Sequence, residues 1–141
     1  MDIETARFGD NKEGVSAVEF ALVAPIFLAL VFGIICFSTL MSTYNGVQQL
    51  VAEAARAAVA GISDTERDQI ARDFVGANAS GYPFIDPAKL QVTTTSNAAS
   101  ATFQVAVSYD MSDSFVYRFG DLLPLPQPVF QRSSVIQRGG Y

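Results

Sequence analysis

The sequence is poor in the residue types that carry most enzyme chemistry. Its 141 residues include no histidine, no tryptophan and a single cysteine, Cys36. Without histidine the chain lacks the usual base at neutral pH and the commonest metal ligand, and one cysteine cannot form an intramolecular disulfide. No nucleophile-and-base motif, phosphate-binding loop or metal-ligand spacing occurs. We therefore expect a protein that is not an enzyme and that uses no metal, cofactor or small-molecule substrate.

Charged residues are scarce as well. They make up 16% of the chain, and 14 acidic residues against 9 basic ones give a net charge of -5. Because nucleic-acid binding depends on a basic surface, this balance predicts no nucleic-acid partner. The length suits one small domain beside a single membrane helix.

What the sequence does contain is one long apolar run without charge. Residues 20–37 are all apolar or Pro, Gly and Cys, and the next charge is Glu53. As a helix, residues 20–40 would span roughly the 30 Å of a bilayer's hydrocarbon core. The run is too long for a cleaved secretory signal, and a chain this small could hardly surround so long a core helix. It predicts one transmembrane helix, in which Cys36 is a small apolar residue or, as the weaker alternative, forms an intermolecular disulfide. Arg7 and Lys12 lie before the run and only Arg56 lies near its far end, which favours a cytoplasmic N-terminus.

The residues at the start of this run form a motif. Gly14, "VSAV", Glu19 and Phe20 precede the apolar helix, and this order resembles the prepilin-peptidase signal of type IV pilins and pseudopilins. The stretch "GVSAVEFALVAPIFLALVFGII" is similar to the N-terminal motif of TadE-like proteins, the minor pilins or pseudopilins of the Tad (tight adherence, Flp, type IVc) pilus system. The segments "LVAEAARAAVAG" and "VFQRSSVIQR" also resemble that family's helix extension and closing strand. Cys36 departs from the family, which often has an acidic residue there.

The resemblance implies a function and a set of partners. A membrane-embedded prepilin peptidase would cut after Gly14 on the cytoplasmic side, remove a polar and unstructured leader (residues 1–14), and make Val15 the new N-terminus. The chain would then be a single-pass protein of the bacterial inner membrane with its C-terminal domain in the periplasm, or a subunit of an extracellular pilus. Its partners would be other Tad pilins and the pilus assembly platform, and its role the assembly of pili for surface adhesion. The alternative is an unprocessed single-pass anchor whose outer domain binds a partner or ligand.

Glu19 is a carboxylate at the mouth of the apolar helix, where burying a charge in lipid is costly. After cleavage it would be the fifth residue. It could then neutralise the Val15 ammonium of its own helix or, as the pilin resemblance implies, pair with that of a neighbouring subunit and set the axial register, together with Phe20. A third interpretation is that its side chain simply reaches the headgroup zone.

Two further features lie inside the helix. Pro25 removes a backbone hydrogen bond and predicts a kink or a flexible point. Small residues recur every four positions and form a ridge that would allow a second helix to approach closely, unless the spacing is a coincidence. The ridge consists of Ala17, Ala21, Pro25, Ala29 and Gly33.

The rest of the chain predicts a small α+β domain. The transmembrane helix (15–43) is expected to continue as an amphipathic extension (44–61) whose apolar side packs on the chain's own domain or on a partner helix. This side comprises Tyr44, Val47, Leu50, Val51, Ala54, Ala55, Ala58 and Val59. In the extracytoplasmic domain (62–141), Ser63 and Glu66 predict a capping box that opens a short helix ending near Gly76. Alternating residues predict a hairpin of strands 90–96 and 101–111, then an edge strand 129–137 after a proline-rich connector 122–128. The fold class is thus α+β and pilin-like, with an antiparallel sheet of two to three strands.

Overall fold

The computed structural model describes residues 12–138, so most of the predicted leader and the last three residues lie outside the described part. The first helix, α1, is Lys12–Ala58, 47 residues long. Its alanine- and leucine-rich sequence favours a helix, and Pro25 lies inside it without ending it. The chain divides into two compact units, Met1–Cys36 and Phe37–Tyr141.

In the first unit, α1 is an apolar helix with its side chains exposed. Phe20 is 74% exposed and Ile26 is 72% exposed. Only 6% of the most apolar window of α1 is buried, and by length and composition the helix could cross a membrane. A core helix of a soluble domain would be mostly buried, so the exposure separates α1 from that alternative.

The second unit is built on a three-stranded antiparallel sheet. Its strands are β1 Leu90–Asn97, β2 Thr102–Asp110 and β3 Val129–Gln137, in the order β1-β2-β3. The predicted hairpin and the predicted edge strand are both confirmed. The face of β2 expected to be buried is buried, as Phe103, Val105, Val107 and Tyr109 show.

The last part of α1 packs along this face of the sheet. Tyr44 meets Phe130 edge to face, with ring centroids 4.3 Å apart, and Phe130 is paired with Tyr109. At the other end of the sheet, Asp64 accepts hydrogen bonds from Ser96 and Arg138. The predicted apolar side is fully buried at Val47, Leu50, Val51, Ala54, Ala55 and Ala58. Of the two predicted alternatives, the apolar side therefore packs on the chain's own domain.

Val59 is an exception, because the structure contradicts its predicted burial. It is 53% exposed since α1 ends at Ala58, and the chain then turns through hydrogen bonds from Val59, Ala60 and Gly61 to the last helical carbonyls. The expected continuation to Gly61 was therefore too long by about one turn.

The second helix, α2, is Asp64–Asn78. Ser63 is its N-cap and accepts a hydrogen bond from the Glu66 backbone N–H at 3.2 Å, as predicted. The Glu66 carboxylate accepts from the Ile62 N–H rather than from that of Ser63, so the reciprocal half of the capping box is shifted by one residue. The helix ends two residues beyond the expected Gly76.

The two edges of the sheet differ. On the β1 edge, the Arg72 guanidinium of α2 donates to the Val92 carbonyl at 2.8 Å, and Thr94 donates to Asp68 at 2.6 Å. At the β3 edge, the Met111 N–H donates to the Pro128 carbonyl and the Arg138 N–H donates to the Ala101 carbonyl. These two bonds show which residues of β3 direct their backbone N–H and C=O groups toward β2. Alternate residues therefore point their backbone groups away from the sheet. These are Val129, Gln131, Ser133, Val135 and Gln137, and within the described residues no other strand pairs with them.

Short helical turns occur in the loops, and the sequence did not predict them. Single 3-10 turns lie at Ala79–Gly81 and Pro87–Lys89, and a longer one lies at Phe115–Phe119. The last belongs to residues 111–128, which connect β2 to β3 and which we call the basal loop.

Candidate assembly site on the N-terminal helix

The predicted cleavage position lies at the start of α1. Gly14 and Val15 are both exposed and follow Lys12, the first helical residue. The expectation that the whole leader is unstructured is wrong for residues 12–14. The first turn of a helix has few internal hydrogen bonds, because its N–H groups lack partners. Unwinding this turn to present the bond between Gly14 and Val15 would therefore disturb little of the structure.

Glu19 lies one helical turn beyond Val15. Four residues of helix correspond to about 6 Å along the axis, so a charged amine at Val15 would be within side-chain reach of the carboxylate. Glu19 is exposed, as is Phe20 beside it. Within the described part of the chain, no hydrogen bond or ion pair involves the Glu19 side chain. The three interpretations of this carboxylate thus stay predictions.

The small-residue ridge is exposed along most of its length. Ala17, Ala21, Pro25 and Ala29 are exposed and Gly33 is partly exposed. A Cβ atom placed on Gly33 would meet nothing within 4 Å, so the described residues leave this point of the ridge uncovered. From Ala17 to Gly33 the ridge rises about 24 Å. Its use for helix packing and the bend at Pro25 stay predictions.

Cys36 is a buried free thiol at the end of the first unit. This agrees with the prediction of a small apolar residue. Among the described residues, no group of three or more His, Cys, Asp or Glu side chains could hold a metal ion.

The structure also reveals a cluster that the sequence alone did not single out. The Arg132 guanidinium lies 5.0 Å from the ring centre of Tyr44 and 5.1 Å from that of Phe130. Burial and the neighbouring Tyr44 raise the pKa of Tyr117 to about 12. The alternation in β3 places Phe130 and Arg132 on one face, but only the position of α1 on the sheet shows that Tyr44 meets them.

Beside this cluster lies an open cleft of about 390 Å³. It is lined by Thr39 of α1, by residues 84–86, by Lys89 and by the start of the basal loop. Lys89 and Asp113 form an ion pair across it at 2.8 Å. The Tyr109 hydroxyl accepts a hydrogen bond from the Asp86 N–H and donates one to the Phe84 carbonyl.

Comparison with known proteins decides the affiliation of α1. Residues 14–56 match the family model described as TadE-like protein. This segment is TadE-like. The match begins at the predicted cleavage position and ends two residues before the end of α1, so it includes Glu19, the small-residue ridge and the outer extension. The resemblance seen in the motif is confirmed over these residues.

The remaining comparisons add no relative. No curated protein and no solved structure matches the chain. Together, the TadE-like segment and the exposed apolar helix support a pilus-related, membrane-anchored protein. The similarity of the closing strand to the TadE-like family stays a prediction, because β3 lies outside the matched residues.

Proposed function

We propose that this chain is a minor pilin or pseudopilin that prepilin peptidase cleaves after Gly14, and that the mature protein takes part in assembling Tad pili for surface adhesion. The observation that carries the proposal is the TadE-like match to residues 14–56. It starts at the small residue where the peptidase would cut, and it continues through the helix that the structure leaves exposed.

The exposure of α1 supports this proposal on physical grounds. A helix with side chains such as Phe20, Ile26 and Leu22 in the open needs an apolar environment, because large exposed apolar surfaces are unfavourable in water. A bilayer supplies that environment before assembly. Neighbouring pilin helices would supply it in a filament, and the small-residue ridge would let them approach closely.

Glu19 gives the helix a means of recognising its neighbours. An ionised carboxylate within a bilayer costs roughly 2.5 to 3.5 kcal/mol or more, which favours pairing with an opposite charge. Cleavage would create that charge as the Val15 ammonium. In an apolar environment such a pair is stronger than on a surface, and an unpaired charge is correspondingly more costly. The pairing between subunits would thus favour one axial register.

The experiment that tests the function is the intact mass and N-terminal sequence of the protein from native membranes. We expect a mature chain that begins at Val15. Gly14→Leu should abolish processing, because a large side chain would not fit a subsite made for a small residue, whereas Gly14→Ala, the matched control, should still be processed. A chain from native membranes that still begins at Met1 would contradict the proposal and favour the membrane-anchored binding protein.

A further inference from the structure

The basal loop lies at the end of the sheet that α1 reaches first. β2 ends at Asp110 and β3 begins at Val129, next to the contact of Phe130 with Tyr44. The opposite end of the sheet lies beside Asp64, beyond the end of α1. Thr39 of α1 and Phe115 of the loop line the same cleft. The loop therefore packs beside the turns of α1 around residues 39–44.

These turns of α1 coincide with the end of the predicted hydrocarbon span, residues 20–40. Leu40 is fully buried and Thr39 is 5% exposed, so the domain covers one side of α1 there. Phe37 and Met41, on the other side, are 45% and 50% exposed. If the span crosses the bilayer, a loop packed against α1 at this point lies at the depth of the outer headgroups.

The side chains of the basal loop suit this depth. Phe115 and Leu122 are 42% and 80% exposed, and the charged side chains Arg118, Asp113 and Asp121 of the loop are exposed as well. Amphipathic segments that lie in a membrane interface present such Phe and Leu side chains to the lipid and keep charged side chains beside them in the headgroup region. Three residues of the loop, Pro124, Pro126 and Pro128, have no backbone N–H to satisfy.

Phe84 adds an aromatic side chain on the other side of the cleft. It is 59% exposed, and its φ of 63° lies in the left-handed region that bulky residues rarely adopt. The Tyr109 hydroxyl holds residues 84–86 in this conformation, because it accepts a hydrogen bond from the Asp86 N–H and donates one to the Phe84 carbonyl. Strained residues that the surrounding structure holds in place are often functional.

From these observations we infer that the basal loop and Phe84 rest in the headgroup region of the outer leaflet, so that the domain contacts lipid at a second place besides α1. The inference rests on the proposed function only for the membrane span of α1. The basal loop and Phe84 contact lipid rather than another protein, because the loop lies where the predicted hydrocarbon span ends.

The absence of tryptophan from the sequence makes this directly measurable. Single-tryptophan variants of the full chain would be reconstituted in phosphatidylcholine vesicles that carry bromine either shallow or deep in the acyl chains. Leu122→Trp reports on the basal loop and Phe27→Trp on the middle of the span. Ile62→Trp, at a side chain that is 92% exposed beyond the end of α1, is the matched control.

We expect shallow bromine to quench Leu122→Trp about twofold more than deep bromine does, with the reverse order for Phe27→Trp and no quenching of Ile62→Trp. Phe115→Trp repeats the test at a second site in the loop. Deep quenching of Phe27→Trp without any quenching of Leu122→Trp or Phe115→Trp would overturn the inference alone. Blue-shifted but unquenched emission of Leu122→Trp that depends on the protein-to-lipid ratio would also overturn it, because the loop would then contact a second copy. If Phe27→Trp is not quenched, α1 does not cross the bilayer. That result would contradict both the predicted membrane span and the inference.

Discussion

At the scale of single residues, Glu19 is an isolated charge. It is the only charged residue between Glu13 and Glu53, and in the structure it is exposed on an otherwise apolar stretch of α1. Because this charge is isolated, it should contribute little to the stability of the outer domain. Its effect should therefore appear in association rather than in stability.

We predict that Glu19→Ala leaves processing at Gly14 largely intact but reduces piliation strongly, because the Val15 ammonium of the neighbour loses its partner. Glu19→Asp, which keeps the charge, should preserve part of the assembly. Pilus counts by electron microscopy and the mass of the mature chain would be measured together. Normal piliation of Glu19→Ala would contradict a register-setting role.

Two glycines of the outer domain differ in how much room they leave for a side chain. A Cβ atom on Gly61 would lie 2.9 Å from the backbone nitrogen of Arg67, whereas one on Gly76 would meet nothing within 4 Å. The first glycine allows the chain to pass closely as it leaves α1 for α2. The second lies in an open position inside α2.

This contrast predicts opposite effects of the same substitution. Gly61→Ala should destabilise the domain by about 1 to 3 kcal/mol through overpacking, since backbone atoms cannot move aside easily. Gly76→Ala should stabilise it by about 0.4 to 1 kcal/mol, because alanine favours the helix and restricts the unfolded chain. Urea unfolding of both variants in detergent, followed by circular dichroism, would measure the difference. Equal effects would show that the close approach at Gly61 is not maintained.

At the scale of elements, α2 is attached to β1 through charged and polar side chains. Asp68 accepts two hydrogen bonds from Arg72 and one from Thr94, and these bonds, those from Arg72 first, lower the pKa of Asp68. A carboxyl whose pKa is lower in the folded state adds stability above its unfolded pKa of about 3.9, and this stability is lost as the pH falls through the folded value.

We therefore predict that Asp68→Asn weakens the domain at neutral pH and flattens the loss of stability below about pH 4. Asp68 and Arg72 are 34% and 47% exposed, so solvent screening keeps the effect at neutral pH below about 1 kcal/mol. Asp73→Asn is the control, because among the described residues Asp73 accepts a hydrogen bond only from Gln69 of the same helix. Identical pH profiles of the two variants in urea unfolding would contradict the role of Asp68.

The elements also show how far the sequence determines the fold. The strands and the buried side of α1 were predictable, because burying one face imposes a period of 2 on strands and 3.6 on helices. The turn at Phe115–Phe119 was not, since five residues show no usable period. The contact of Tyr44 with Phe130 and Arg132 depends on where α1 lies on the sheet, which no local pattern encodes. In the candidate site, the roles of the motif residues stay predictions, and the sequence did not predict the helical start at Lys12.

At the scale of the whole molecule, the first part of α1 is an exposed apolar helix and its last part belongs to the core of the outer domain. The fully buried residues Val47, Leu50 and Val51 belong to it. The sheet and α2 by themselves would leave the buried face of β2 uncovered. The domain therefore extends back to about residue 37, where the second compact unit begins.

A pair of fragments tests this prediction. Residues 37–141 should fold cooperatively, with a single thermal transition and dispersed amide signals in NMR spectra. Residues 62–141 should stay largely unfolded, since they lack the helix that completes a core already small for its length. A folded 62–141 fragment would show that the core does not need α1.

The open edge of β3 has one more consequence for the molecule. Exposed strand edges tend to pair with other strands, and two β3 edges could join antiparallel, with Ser133 opposite its own copy. The two-fold axis of such a pair is perpendicular to the sheet, and α1 runs along the sheet. The pairing would thus place the two copies of the segment of α1 that packs on the sheet, residues 44–58, in opposite directions.

We predict a concentration-dependent dimer of the solubilised protein by light scattering, and a monomer for Ser133→Pro, which lacks the outward N–H without disturbing the pairs with β2. A wild-type chain that stays monomeric at high concentration would argue against pairing at this edge. Such a pair would leave neither β3 edge open.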